Sequence, residues 1–249
     1  MEKNLSSKEL ISLGAWTPEK LDSILYESTK INDVGLRIDV LSKHFLGTPY
    51  KDSTLIGNIN ISEVFVINLE SVDCFTFIEY IESMRVSSSF YEFKDNLKRV
   101  RYQRGEKISF ENRNHFFTDW REYNAIFIDD ITEQIGGKKV IQVKKELNKK
   151  DDETYFLPGI QPRGRLINYL PSNAIDDAII DELRIGDYIG IYSEKQGLDV
   201  SHVGIFIREK NNIYLRHASS LQEHRQVIDD DFKNYILNRP GIIVFRPKS

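Results

Sequence analysis

Ser201-His202-Val203-Gly204-Ile205-Phe206-Ile207, followed after a short polar connection by Ile213-Tyr214-Leu215-Arg216-His217, reads as two β-strands joined by a turn. β-Branched and aromatic side chains fill both runs, and they pack best on a pleated, buried surface. Two similar runs flank them. Ile185-Gly186-Asp187-Tyr188-Ile189-Gly190-Ile191-Tyr192 precedes the pair, and a run from Ile242 to Phe245 follows. Closely spaced strands with turns between them predict an antiparallel sheet.

Upstream, the period changes from two to 3.6. Thr17-Pro18-Glu19 offers an N-cap, a proline at the first helical position and an acidic first turn, with Leu21, Ile24, Leu25 and Ile31 following at helical spacing. A second helix is predicted from about Val34 to Leu46, ended by Gly47 at the left-handed position. Glu63 to Leu69 is an apolar, extended run. Asp73 to Met84 then reads as a helix with Phe77, Ile78, Ile81 and Met84 on one face. The stretch from about Ser87 to Ala174 is mixed. Helices are predicted over Phe90–Tyr102 and Asn114–Tyr123 and a strand over Lys139–Val143, with turns at Gly136-Gly137, Pro158-Gly159 and Pro162-Arg163-Gly164. A short helix over Ala178–Leu183 leads into the strands. Helices first and antiparallel strands later is the α+β pattern.

The chain has 249 residues, 40% hydrophobic and 29% charged, with a net charge of −4. Its length allows a substantial core in one large domain or two small ones. Lys98-Arg99-Val100-Arg101, and Lys144-Lys145 with Lys149-Lys150, are short basic clusters among acidic and apolar neighbours; they read as solvated helix faces or loops rather than a nucleic-acid footprint. No run of about 18 apolar residues exists to span a membrane. Met1 to Ser7 carries no apolar stretch after its charges, so it does not read as a signal peptide.

The single cysteine, Cys74, excludes an internal disulfide and any paired-cysteine metal site. A lone cysteine is by default a small buried residue. This one lies in the first turn of the Asp73–Met84 helix, where the positive end of the helix favours a thiolate. Free cysteine titrates at about 8.5, and a helix start or a nearby imidazolium lowers that value. The first-turn N–H groups are also placed to hold an oxyanion, worth about 3 kcal/mol per donor. The hairpin would set His202 and His217 near one end of the sheet, one to pair with the thiol and the other to orient it. Gly204 would allow a close approach to that strand. Spacing alone leaves open whether Cys74 and His202 meet, since histidines at strand ends are commonly surface residues.

Four segments resemble, in order, those of the NlpC-type cysteine peptidases, papain-like hydrolases of bacterial cell-wall peptides. They are Leu46-Gly47-Thr48-Pro49-Tyr50, Val72-Asp73-Cys74, Leu183-Arg184-Ile185-Gly186-Asp187-Tyr188-Ile189, and Ser201–Ile207 with Arg216-His217-Ala218-Ser219. Departures exist. Phe75-Thr76-Phe77-Ile78 replaces the small residue and glycine usual after the cysteine, no Trp-Gly-Gly follows Pro49-Tyr50, and the interval from Cys74 to His202 is long. These departures are similar to a divergent branch described as N-acetylmuramoyl-L-alanine amidase-like. Val72-Asp73-Cys74-Phe75-Thr76-Phe77-Ile78-Glu79 and His115-Phe116-Phe117-Thr118-Asp119-Trp120 both resemble it.

The resemblance implies a papain-like α+β fold: one catalytic domain over residues 1–249 with an insertion at roughly 87–174. It implies a Cys74–His202–His217 triad and no metal or cofactor. Tyr50, Asp73, Ser201, His115 and Trp120 become candidate substrate-binding residues. His115, Asp119 and Trp120 would line a cleft, unless the segment is an amphipathic helix with Phe116 and Trp120 turned inward. Arg163 and Arg165 would bind a peptide carboxylate or merely flank a turn. His44 and His224 are expected to face solvent.

The expected partner is peptidoglycan or a muropeptide, cut between the lactyl group of N-acetylmuramic acid and L-alanine. Alternatives are a D-glutamyl-diamino acid endopeptidase, a thiol acyltransferase or a non-catalytic cell-wall-binding module. The substrate would place the protein in the bacterial periplasm or envelope, with the cytoplasm left open.

Overall fold

A computed structural model describes residues 9–105 and 107–249. The Met1–Ser7 stretch that does not read as a signal peptide lies outside the described residues. Strand β1 (Glu9–Ser12) comes first, then α1 (Pro18–Thr29), whose N-cap Thr17 accepts a hydrogen bond from the Lys20 N–H at 3.2 Å. Helix α2 (Val34–Lys43) ends three residues earlier than the sequence pattern suggests, and Gly47 holds its left-handed conformation (φ +83°) in the following turn. Strands β2 (Ile56–Asn58) and β3 (Ile61–Asn68) form a small sheet with β1, in which β1 runs parallel to β3.

Helix α3 (Cys74–Arg85) follows, then α4 (Phe90–Arg101) and α5 (Phe117–Tyr123). Strand β4 (Ile128–Asp130), helix α6 (Thr132–Gly136), and strands β5 (Ile141–Leu147) and β6 (Arg163–Pro171) complete the middle of the chain. The Pro162-Arg163-Gly164 turn expected from the sequence is instead the entry to β6. Helix α7 (Asp177–Glu182) precedes β7 (Tyr188–Tyr192), β8 (Val200–Glu209), β9 (Asn212–Ala218), β10 (Val227–Asp231), α8 (Phe232–Leu237) and β11 (Gly241–Pro247).

The architecture is mixed α+β, as the sequence predicts. Its main sheet has eight strands in the order β10-β9-β8-β7-β11-β6-β5, with β4 paired to the far end of β11. Every pairing in it is antiparallel. The stretch expected as an insertion supplies β4, β5 and β6, so it widens this sheet. Both faces are buried along most of the central strands β7, β8, β9 and β11, which explains why these read as continuous apolar runs. Alternate residues divide between two cores. Tyr188, Val203, Ile205, Ile243 and Phe245 face a cluster built from α1 to α4. Ile189, Ile191, Phe206, Ile242 and Val244 face another containing residues of α6, α7 and α8.

Every residue of α3 from Thr76 to Arg85 is buried, so its charges need internal partners. The Arg101 guanidinium donates to Glu79 at 2.7 Å and to the Val66 carbonyl at 2.5 Å, joining α4 and β3 to α3. Glu82 accepts from Arg85 at 2.6 and 2.7 Å and from the Tyr188 hydroxyl at 2.8 Å, joining α3 to the sheet. Two of the basic residues read as solvated are therefore turned inward. Arg101 is one. The other is Lys145, whose ammonium donates to the carbonyls of Ser193, Lys195 and Leu198.

Glu79→Ala leaves the Arg101 charge buried and unpaired, and should lower the free energy of unfolding by about 3–5 kcal/mol in a urea titration followed by circular dichroism. The apolar double replacement Glu79→Leu/Arg101→Met should recover most of that loss; a double variant no better than the single one would show that the pair is not the cause.

Candidate active site

Asp73 fixes where α3 begins. Its carboxylate accepts from the N–H groups of Phe75 (2.9 Å) and Thr76 (2.7 Å), while the Thr76 hydroxyl closes the capping box on the Asp73 N–H at 3.0 Å. Cys74 is thereby held at the first helical position. Asp73 Oδ1 serves the cap, and the residue also borders a cavity with Phe110, Arg113 and Leu157. The cap also occupies two of the first-turn N–H groups expected to hold an oxyanion, whereas the Cys74 N–H has no partner among the described residues.

Cys74, Ser201 and His202 line one cavity of about 210 Å³, walled by Phe75, Phe116, Phe117 and Leu198. Behind His202 a hydrogen-bonded chain runs into the sheet. His202 Nε2 lies 2.7 Å from His217 Nδ1, and His217 Nε2 lies 2.9 Å from a carboxylate oxygen of Asp230. A carboxylate only accepts, so His217 Nε2 carries the proton and its Nδ1 a lone pair. That lone pair accepts from His202 Nε2–H. The lone pair of neutral His202 is then on Nδ1, the nitrogen outside the chain. Gly204 makes room for this arrangement: an added Cβ would lie 3.0 Å from the His217 Cβ and 2.8 Å from Leu215 Cδ1.

Asp230 carries no local signal of this role. It stands in an acidic triplet on β10, and only pairing with β9 divides the labour. Asp229 grips Arg216 at 2.7 and 2.8 Å, Asp230 holds His217, and Asp231 caps α8. Arg216 continues to Asp39 and Ser42, locking α2 onto the sheet.

Burial sets the protonation states. It pushes the Cys74 thiol up to about 12, with neighbouring Asp73 adding to the rise and the N–H groups of Val203, Cys74 and Phe75 opposing it. The helix-start effect expected from the sequence is present but outweighed. Burial, then the His217 and Arg239 charges, push His202 down to about 3. The resting pair is a neutral thiol and a neutral imidazole.

The remaining candidates divide. Tyr50 is brought close to Cys74 because its segment bridges Val72, just before α3, and Gln226, just before β10; its hydroxyl donates to Asp52 at 2.7 Å. Ser201 lines the cavity and is exposed. His115 joins this cavity to a second of about 240 Å³ lined by Arg113, Asp119, Gln161 and Arg163. Trp120 is a correction to the cleft reading: it is 0% exposed, stacked on Phe117 and edge-on to Tyr188 in the core. Arg165 is taken up by Asp119 and Glu122 on a strand rather than flanking a turn, while Arg163 reaches Tyr123 at 2.9 Å and borders the second cavity. His44 and His224 are exposed, as expected.

Sequence reading missed Asp199. Helix α5 has no side-chain cap of its own; buried Asp199, just before β8, accepts from the Thr118 N–H at 2.7 Å and hydroxyl at 2.8 Å. A residue 81 positions away thus caps the helix that carries the cleft's aromatic wall. Among the described residues, no group of three or more His, Cys, Asp or Glu side chains is placed to hold a metal ion.

Comparison with known proteins adds a family. A family model described as AmiA-like, N-acetylmuramoyl-L-alanine amidase-like, matches residues 40–242. The structure is similar to that of an N-acetylmuramoyl-L-alanine amidase from Bacteroides uniformis, with 26% identity and a TM-score of 0.71 over 87% of this chain and 99% of that one. It also shares its fold with a protein from Legionella pneumophila, with 23% identity and a TM-score of 0.78 over 93% and 94% of the two chains. No curated protein matches the chain.

Two outcomes follow from this geometry. Asp199→Ala should cost about 0.5–2 kcal/mol, the range for a lost helix cap, and speed exchange of the Thr118 amide, whereas Asp199→Asn, which still accepts, should restore protection. Burial pushes His115 down to about 4, and its Nε2 lies 2.7 Å from the Phe110 carbonyl. Between pH 6.5 and about 4 the unfolded ring binds a proton that the folded one refuses, so His115 subtracts stability on acidification. His115→Gln should therefore lose less stability than the wild type over that window; parallel curves would refute this.

Proposed function

The chain belongs to the N-acetylmuramoyl-L-alanine amidase-like family, and from that premise we propose that it is a papain-like, NlpC-type cysteine hydrolase cutting the amide between the lactyl group of N-acetylmuramic acid and L-alanine. The observation that carries the chemical part is the Asp230–His217–His202 chain. It leaves His202 Nδ1 without a hydrogen-bond partner among the described residues, on a side chain that lines the same cavity as Cys74.

Cys74 Sγ attacks the amide carbonyl carbon as its proton passes to His202 Nδ1. Because thiol and imidazole both start neutral, the two charges arise together, as an opposite pair inside one cavity. The Cys74 N–H donates to the carbonyl oxygen as it becomes an oxyanion. Collapse of the tetrahedral intermediate breaks the C–N bond, and His202 returns the proton to the leaving amine. Water, deprotonated by His202, then hydrolyses the thioester and frees the thiol. His217 and Asp230 hold the imidazole in the tautomer this requires. Asp230 thus extends the Cys74–His202–His217 triad by one member.

The cavity that Cys74 lines is walled by phenylalanines, and the one that shares His115 and Phe116 with it is bordered by charged Arg113, Asp119 and Arg163. A muropeptide has apolar, amide and charged parts on either side of the bond in question, which suits such a cleft. The substrate places the work in the cell envelope or wherever muropeptides are released. No helix among the described residues is long and apolar enough to cross a membrane.

Purified muropeptides incubated with the full chain and weighed by mass spectrometry test the reading. Intact stem peptides with free L-alanine ends are expected; fragments cut after D-glutamate would make the protein an endopeptidase instead. Cys74→Ala should abolish turnover while sparing binding, and unchanged hydrolysis would end the proposal. Asp230→Asn, which disrupts the tautomer chain, should lower kcat by about 10²–10⁴-fold with little change in KM.

A further inference from the structure

Tyr235 stands against the histidine pair without belonging to the hydrogen-bonded chain. Helix α8 carries it, and the same helix buries Phe232 and Ile236 in a core shared with Phe206 and Leu215 of β8 and β9. The ring is therefore placed by packing. It meets the His217 imidazole edge-on with centroids 5.0 Å apart and lies 6.2 Å from the His202 ring. The Arg239 guanidinium, just past the end of α8, rests 4.9 Å from the centre of the Tyr235 ring.

The charged and titratable groups facing the pair come from several elements. Cys74 stands at the start of α3, Asp230 on β10, His224 in the turn before β10, and Tyr235 and Arg239 on and after α8. Asp230 favours a protonated His217, and His224 and Arg239 oppose it. Arg239 also opposes protonation of His202. Removing water from an imidazole penalises its charged form. A phenol ring packed on the pair does so and also seats a cation beside it.

We propose that Tyr235 is a positioning residue: its ring keeps water from the His202–His217 pair and seats Arg239 against it, holding both imidazoles neutral and the His202 lone pair on Nδ1. An imidazole already protonated cannot take the thiol proton, so Tyr235 sets the acid limit of the reaction. The inference rests on His202 being the base in the reading above, but the state of the rings is measurable without any substrate.

The test is a pH titration of the ¹⁵N-labelled full chain, following the imidazole nitrogens by NMR. In the wild type both rings should be neutral Nε2–H tautomers and should protonate below the usual imidazole midpoint. Tyr235→Leu should raise the protonation midpoint of one or both rings by at least one unit, tenfold in proton affinity, and mix the tautomers. Tyr235→Phe should keep the wild-type profile, because the ring acts rather than the hydroxyl.

Arg239→Gln, a change at an exposed side chain, should shift the midpoint less and in the same direction; it decides the matter if Tyr235→Leu does not fold. A wild-type titration in Tyr235→Leu, or in Arg239→Gln when it alone folds, would overturn the proposal, as would Tyr235→Phe behaving like Tyr235→Leu. The acid limb of muropeptide hydrolysis should move with the NMR midpoint. Shifted rings in a protein that hydrolyses no muropeptide would leave this inference standing and reject the functional reading.

Discussion

Burying a helix that carries two carboxylates is the constraint on which the rest of the structure turns. Helix α3 has no solvent-facing side after Thr76, so Glu79 and Glu82 must each find a cation inside the protein. Arg101 reaches in from α4, Arg85 folds back along α3, and Tyr188 reaches down from the sheet. These bonds fix the helix in rotation and along its axis. The Asp73 capping box fixes its first turn, and Cys74 has no freedom left in the backbone. In the proposed reaction the thiol must be held to a fraction of an ångström, and the charged groups in the core supply that accuracy.

The opposite wall is assembled by different means. Lys145 gathers three carbonyls of the loop before β8, and Asp199 at the end of that loop caps α5. One short segment thus ties the edge strand β5, the aromatic wall and the strand bearing His202 into a single unit. The stretch between Cys74 and His202 is therefore more than decoration. It contributes strands to the main sheet and one side of the cleft, so neither the sheet nor the cleft is complete without it.

What the sequence disclosed follows from how local each signal is. Cys74 at a helix start and His202 and His217 on adjacent strands were legible because caps and period-two runs are written in neighbouring residues. Asp230 was not, since an acid in Asp229-Asp230-Asp231 acquires its partner only through the register of β10 on β9. Arg101 and Lys145 looked solvated because a charge run carries no information about burial. Trp120 could belong to a cleft or a core by pattern alone, and its stack on Phe117 decides for the core. Strand β6 was hidden behind Pro162 and Gly164, which normally punctuate turns. The raised thiol was out of reach for the same reason: desolvation is a property of the assembled fold, and it exceeds the helix-start contribution that the sequence displays.

The acidic triplet gives β10 something like a reading frame. Asp229 serves Arg216 and the junction with α2, Asp230 serves the histidine chain, and Asp231 starts α8. Because successive strand residues point to opposite faces, a slip of one position would turn Asp230 away from the histidine and Asp229 away from Arg216. The turn between β9 and β10 is thus a spacer of fixed phase. Insertions there would be tolerated at its exposed tip, around Leu221 to His224, only where the chain re-enters the sheet in the same phase. In such a segment the length of a surface loop, ordinarily the freest variable in a protein, is subject to the same exacting control as a catalytic side chain.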